Sequence, residues 1–294
     1  MDTSSQSLSS PGLDNAEWRL VWCDEFDGDR LDTDKWACEM GNGFFHGPDR
    51  QWIAGWGNNE LQFYTDEPAN VQVTGGCLRI TARKESRGSC AFTSGRLRTR
   101  ATDGRSLFAT RYGRIEARAS APAGKGLWSA LWLLPQIERY GFWPASGEID
   151  MVEIVGDRID EYLGSLHFGA PYPQRSHVTH THGFPPNRRI DEFHDYALEW
   201  DPGEIRWFFD GLCWARQSTW WSCSRSSEGR GQPPRHERDL NPWPAPFDQP
   251  FELLLNLAVG GGLPGPPDDT TTFPATFVID YVRVFERRAG KHSS

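Results

Sequence analysis

The sequence predicts an all-β chain folded as one antiparallel sandwich, on three observations. Apolar and polar residues alternate with period two through many short segments, Gly, Pro, Asn and Asp stand between those segments, and no long helical period runs through the chain. Composition agrees: 30 Gly and 21 Pro exceed ordinary usage, 14 Trp and 17 Phe supply bulky strand-type side chains, and Met falls to 3 of 294 residues. Two domains would fit the length, but β-sandwiches reach roughly 200–250 residues as one unit. No repeat of solenoid or propeller period divides the chain.

The elements follow in chain order. Residues 1–16 are Ser-rich and polar and read as a disordered leader, ahead of a single domain over 17–288 and a tail over 289–294. Leu78, Ile80 and Ala82 alternate with Arg79, Thr81 and Arg83, and Ile115, Ala117 and Ala119 with Arg114, Glu116 and Arg118, so each strand has one buried and one wet face. Further strands are expected at 127–134, 147–154, 163–168, 195–200, 204–209, 212–217, 251–257 and 276–285. Asp201-Pro202-Gly203 and Asp210-Gly211 are hairpin turns between apolar runs. The Pro-rich, aperiodic stretch 222–249 is a long surface loop.

Charge and cysteine usage limit the partners. The net charge is −9, and the Lys and Arg residues form only short clusters such as Arg96, Arg98, Arg100 and Arg105, so a nucleic acid is an unfavourable ligand. No apolar run reaches the roughly 18 residues of a membrane helix, and the N-terminus lacks the basic and apolar regions of a signal peptide. Cys23, Cys38, Cys77, Cys90, Cys213 and Cys223 are too sparse for a disulfide scaffold and lack metal-type spacing. Cys77 with Cys90 and Cys213 with Cys223 are close enough for local staples, and free buried thiols are the equal alternative.

One segment carries the chemistry. In Gly147-Glu148-Ile149-Asp150-Met151-Val152-Glu153-Ile154, Glu148 and Asp150 share a strand face, whereas Glu153 at i+5 would point into the core. A lone buried carboxylate is very costly. A β-bulge near Met151-Val152 resets the face by one position and returns Glu153 to the side of the other two acids. Paired carboxylates are what glycosidic hydrolysis uses, one as acid and one as nucleophile or base, and Asp150 between them raises at least one proton affinity by like-charge repulsion. The competing readings of such a row are a solvated strand face and a divalent-cation site. Trp128, Trp132 and Trp143 lie just upstream; indole faces suit the flat C–H faces of sugar rings, although any single Trp can equally be core.

With those residues in place, the chain resembles glycoside hydrolase family 16 in its laminarinase-like branch. WPASGEIDMVEIVG matches the branch's E-x-D-x-x-E signature, and LVWCDEFDG (20–28), GWGNNELQFYT (55–65), SGRLRT (94–99), YGRIEARA (112–119), GLWSALWLLP (126–135), YALEWDPGEIRWFFDG (196–211), PFDQPFELLLNLAVGG (246–261) and DYVRVFE (280–286) follow in the family's order. The resemblance implies a β-jelly-roll sandwich of two antiparallel sheets with a concave substrate cleft, and retaining endo-β-1,3-glucanase action on β-glucan. It implies Glu148 as nucleophile, Glu153 as acid/base and Asp150 as the acid tuning the nucleophile. Asn58, Arg96, Trp128, Trp132, Trp143, His167 and Asn256 match sugar-contact positions, with Trp56 as a rim member, while Trp22, Trp200 and Trp207 read as sandwich packing. Glu25, Gly76 and Asp280 match a structural Ca²⁺ site built from backbone oxygens and one carboxylate; without the metal, Asp280 reads as a surface acid of an edge strand. No cofactor is required for the chemistry. The expected partner is a polysaccharide, the expected state a monomer, and a polymeric substrate implies an extracellular location.

The sequence also departs from the branch. Ser129 stands where Pro often follows the first Trp, the 222–249 loop is long, and residues 41–56 carry the extra aromatics Phe44, Phe45 and Trp52, which bear on chain-length preference. Alternatives are mixed-linkage β-1,3-1,4-glucan or a galactan as substrate, or glucan binding without catalysis. His177, His180 and His182, lacking acid or Cys partners, are expected in a solvated loop. Gly260-Gly261-Gly262 precedes no helix signal and is not a phosphate loop.

Overall fold

The computed structural model describes residues 17–47, 49–223 and 233–288. The leader over 1–16, the tail over 289–294 and residues 224–232 of the long loop lie outside the described residues. The fold is a jelly-roll sandwich of two antiparallel sheets. One sheet runs Leu212–Gln217, Glu204–Phe209, His194–Asp201, Gly113–Ser120, Ala275–Arg287, Cys77–Ala82, Val71–Thr74, with Trp18–Asp24 also paired to Ala275–Arg287. The other runs Arg175–Gly183, Glu161–Gly169, Glu148–Val155, Leu127–Pro135, Phe251–Val259, Arg96–Arg98, Ala37–Cys38.

Alternation decides what lies between the sheets. Ile149, Ile154, Leu131, Leu133, Leu166, Leu253, Leu255 and Leu257 point inward and share one buried cluster with Ile115, Ala117, Leu198, Trp200, Trp207, Val282 and Val284 of the opposite sheet. Removing such side chains from water is the main favourable term, about 1.5–3 kcal/mol per large residue. Trp200 and Trp207 are packing residues, as expected, and Trp22 lies against the same core with its ring stacked on Phe108 at 4.9 Å. The two turns also form where the sequence places them: Asp201 pairs with Glu204 across Pro202-Gly203, and Phe209 with Leu212 across Asp210-Gly211. Asp210 (φ 45°) and Gly211 (φ 83°) both adopt positive φ, the requirement of a tight two-residue hairpin.

Two expectations need correction, and one open alternative is decided. The HVTHTH segment is a strand, Arg175–Gly183, and not a loop: its alternation sends His180 and His182 toward Trp207 and Phe209 and leaves His177 beside His167. All six cysteines are free. The Cys77 thiol faces Asp280 at 4.0 Å and the Cys223 thiol donates to the Tyr140 carbonyl at 2.8 Å, so these sulfurs are committed away from the staples considered. Asp280 lies on an interior strand with neighbours on both edges, not on an edge strand.

Candidate active site

The site is built on the outer face of the second sheet, and the bulge makes it. Against Leu127–Pro135, Val152 pairs with Leu131 but Asp150 with Trp132, which leaves Met151 as the extra residue. The pairing with Glu161–Gly169 slips over the same interval, Asp150 opposite Ser165 and Glu153 opposite Leu163. Glu148, Asp150 and Glu153 therefore share one face, as the cost of a buried carboxylate requires. A bulge leaves a rung of the ladder incomplete, and here Trp207 of the opposite sheet donates its indole N–H to the Asp150 carbonyl at 3.0 Å. Gly164 makes room for that indole, because a Cβ there would stand 2.5 Å from Trp207 Nε1.

Cross-strand register delivers the neighbours to the same face. Glu148 lies opposite His167, Ala130 lies between Glu153 and Asn256, Trp132 lies between Asp150 and Leu254, and Arg96 lies opposite Asn256. Trp143 Nε1 donates to Glu148 Oε2 at 2.6 Å, and Ser165 Oγ to Glu153 Oε2 at 2.9 Å. His167 Nε2 is 3.3 Å from Asp150 Oδ2 and 3.8 Å from Glu148 Oε1. Trp132 Nε1 donates to Asn256 Oδ1 at 2.8 Å, whose amide donates to the Tyr64 hydroxyl at 3.3 Å. The Arg96 guanidinium is sandwiched between Trp56 at 4.4 Å and Trp132 at 4.8 Å, and Nε is held by Glu39 at 2.5 Å. Asn58 Nδ2 donates to Glu60 at 3.2 Å, and the Asn58 carbonyl accepts from Gly262 at 2.8 Å, which ties the glycine run to Asn58 beside the Trp128 ring.

Trp128, Trp132 and Trp143 are half-buried on the cleft side, the exposure a sugar platform needs. Trp56 is instead buried, at 8% exposure, so it supports Arg96 and is not a rim platform. Several participants escaped sequence reasoning: Ser165, Glu39, Glu60, Tyr64 and the positioning residue Trp207. Only register could have found Ser165, which faces Asp150 across the ladder and belongs to no motif.

Burial dominates the proton affinities. Desolvation first, and the Asp150 carboxylate second, push Glu148 up to about 8 against the pull of His167 and the Trp143 N–H. Asp150 is raised well above the usual carboxylate range by burial and then by Glu153, and Glu153 is raised by burial against the Ser165 hydroxyl and His167. Three carboxylates this close titrate as a unit and hold protons at pH values where isolated acids are ionised. Glu148, Asp150 and His167 also place ligand atoms within 4.8 Å of one another, a spacing a divalent cation could use; the same oxygens are those glycosidic chemistry needs.

Proton-holding carboxylates between indole walls, on the outer face of a jelly roll, define a glycoside hydrolase. The sequence profile of glycosyl hydrolases family 16 matches residues 56–219, and the chain belongs to that family. It is 41% identical to a β-glucanase of Rhodothermus marinus over 95% of this chain and 89% of that protein. It is 36% identical to glucan endo-1,3-β-glucosidase A1 of Niallia circulans over 98% of this chain, spanning 40% of that relative's length. The solved catalytic domain of a Thermotoga petrophila endo-1,3-β-glucanase (laminarinase) superposes with a TM-score of 0.74 at 38% identity, covering 92% of this chain and 99% of that one.

Proposed function

We propose that this chain is a retaining endo-β-1,3-glucanase that cleaves β-glucans such as laminarin. The observation that carries the reading is the bulge at Met151, which sets Glu148 and Glu153 on one face four register steps apart with Asp150 between them. Steps of roughly 3.3 Å separate the two Cα atoms by about 13 Å, a gap that two Glu side chains leaning together narrow toward the roughly 5–5.5 Å of retaining enzymes. In the first step Glu153 gives its proton to the glycosidic oxygen, the C1–O bond breaks, and a Glu148 oxygen bonds to C1. In the second, ionised Glu153 takes a proton from water, whose oxygen displaces Glu148 from C1. Glu148 must be ionised to attack, and the Trp143 N–H at 2.6 Å and His167 favour that form. Asp150, raised by burial and then by Glu153, shares the protons of the acidic row with Glu148, and a proton resting on Asp150 when Glu148 attacks limits like-charge repulsion. The named activities of the β-glucanase and laminarinase relatives support the same reading, and so does the extra bulge residue, which favours β-1,3-linked glucan with mixed-linkage glucan as a secondary substrate.

A substrate panel tests it. Reducing ends should be released fastest from laminarin, more slowly from lichenan, and not from agarose or carrageenan; preferential cleavage of a galactan would overturn the assignment. A polymer of this kind is met outside the cell, and we infer extracellular action on it by a monomer.

We propose a structural Ca²⁺ at Asp280. Trp18–Asp24 and Cys77–Ala82 pair end to end along one edge of strand Ala275–Arg287, and Asp280 falls at the gap between them, after Ile279↔Leu78 and before Val282↔Asp24. Glu25 follows Asp24 and Gly76 precedes Cys77, so both residues flank that gap, and backbone oxygen donors suit a hard cation. The Glu25 carboxylate is occupied by Arg283 at 2.8 and 2.6 Å, and Arg118 holds Asp280 Oδ2 at 2.6 Å; Asp280 Oδ1, which the Cys77 thiol reaches only at 4.0 Å and would yield to a cation, and backbone carbonyls are the donors that fit. Ca²⁺ should raise the melting temperature, EDTA should lower it, and Asp280→Asn should abolish the difference; equal melting with Ca²⁺ and EDTA in the parent protein would refute the site.

A further inference from the structure

Glu148 takes a hydrogen bond from Trp143 and lies 3.8 Å from His167, and both of those rings meet one further side chain, Arg175. Arg175 opens strand Arg175–Gly183 opposite Gly169, and alternation sends it to the same face as His177, which lies opposite His167. Its guanidinium stands over the Trp143 ring, 5.4 Å from the centroid, and its Nη1 is 3.5 Å from His167 Nδ1. Among the described residues no carboxylate pairs with Arg175, so its contacts here are with these two rings. Arg175 also lies outside every segment that carries the family resemblance.

The contact at Nδ1 has a direction. A guanidinium stays charged and only donates, so the ring nitrogen that faces it must accept. His167 Nδ1 therefore carries no proton, the adjacent cation opposes a second one, and the single imidazole proton sits on Nε2. That nitrogen is 3.3 Å from Asp150 Oδ2 and 3.8 Å from Glu148 Oε1. The other neighbours hold the ring without choosing its tautomer: His177 stacks on it at 5.6 Å, and Trp143 lies 5.8 Å away, ring to ring. With the proton on Nδ1 instead, the Nε2 lone pair would face the carboxylate oxygens and could only take a proton from them. The ionised Glu148 that attacks would then lose the favourable end of an N–H dipole.

We propose that Arg175 is a positioning residue of the hydrolysis, which holds His167 as the Nε2–H tautomer and fixes the Trp143 indole so that two N–H groups converge on the acidic row. The proposal rests on the glucanase reading above and deepens it.

Arg175→Met keeps an unbranched stem and removes the donors, whereas Arg175→Lys keeps a donor-only cation. Nitrogen NMR of protein carrying isotopically labelled histidine reads the tautomer directly, with the His167 signals assigned by their loss in His167→Gln. In the parent, at the pH of the assay, Nε2 should be protonated and Nδ1 bare. In Arg175→Met the Nδ1–H form should appear, and kcat on laminarin should fall roughly ten-fold, the loss expected for one hydrogen bond to a charged group, with KM within about two-fold of the parent. Arg175→Lys should recover the parent tautomer and most of kcat. A proton on Nδ1 in the parent, which needs no variant to observe, would overturn the role of Arg175. So would an unchanged tautomer in Arg175→Met, a loss confined to KM, or a lowered melting temperature with the tautomer kept, which would make the side chain a packing residue only. Inactivity of the parent on every β-glucan would sink the glucanase assignment instead, and the tautomer would still decide whether Arg175 holds His167.

Discussion

Glu148→Gln is expected to abolish release of reducing ends from laminarin, by at least about 10³-fold in kcat, while leaving laminarin binding within a few-fold of the parent. Gln is nearly isosteric, so the Trp143 N–H keeps an acceptor and the cleft keeps its shape, but an amide oxygen is too weak a nucleophile to displace the leaving group. Stability should move the other way. The Glu148 carboxyl, ordinarily near 4.5, is raised to about 8 in the folded chain, by burial first and by Asp150 second. A carboxyl whose folded proton affinity exceeds its unfolded one contributes stability below about 4.5, and that contribution is lost as pH climbs through about 8. Glutamine never ionises. The variant should therefore melt with the parent near pH 4 and above it near pH 9. Residual laminarin hydrolysis at a tenth of the parent rate would remove Glu148 from the nucleophile's role, and identical melting curves at pH 9 would show that its charge is not confined by burial.

Glu153→Gln separates the two chemical steps. On laminarin, whose leaving group is a sugar hydroxyl, loss of the proton donor should lower kcat by about 10²–10⁴-fold. An aryl β-laminarioside carries a leaving group that needs no proton, so its first step should survive and release a burst of phenol. The second step then lacks a base, and the glycosyl-enzyme should accumulate as a mass increment on the protein. Azide requires no deprotonation and should restore turnover by forming the β-glycosyl azide, the retained anomer. The pH profile on the aryl substrate should also lose its alkaline limb, because the group whose ionisation ends acid catalysis is gone. An α-azide from Glu153→Gln would mean that azide displaces the aglycone directly in place of a missing nucleophile, and a β-azide from Glu148→Gln would mean that a glycosyl-enzyme still forms there; either would exchange the roles proposed for Glu148 and Glu153.

Much of the site was legible because its signals are local. The interval Glu148 to Glu153, one residue too long for a regular strand face, requires a bulge once burial of a lone carboxylate is judged too costly, and the register slip at Met151 is that bulge. Trp128 and Trp132, spaced i and i+4 on one strand, keep a common face because strand periodicity is two. The histidines of HVTHTH were misjudged for the complementary reason. The segment alternates, but one face pairs its histidines with Trp207 and Phe209, rings that come from another sheet. Their burial has no trace in the segment itself.

Trp56 shows the same limit. It was read as a cleft-rim member, yet its ring covers a guanidinium delivered by strand Arg96–Arg98, 40 residues away. Ser165 and Trp207 are further cases: one hydroxyl and one indole that matter because a ladder and a sheet-to-sheet contact bring them to Glu153 and to the Asp150 carbonyl. The cysteines were undecidable from spacing, because closeness along the chain says nothing about where each thiol points.

The sequence by itself determined the all-β class, the turns, the three-carboxylate row and the need for a bulge, since each follows from periodicity and from the cost of burying charge within one segment. Only the tertiary structure decided which side chains surround those carboxylates and how far burial raises their proton affinity. It also decided which indoles line the acidic face and which pack on arginine, because these depend on register between strands distant in the chain and on the low-dielectric space that two packed sheets enclose.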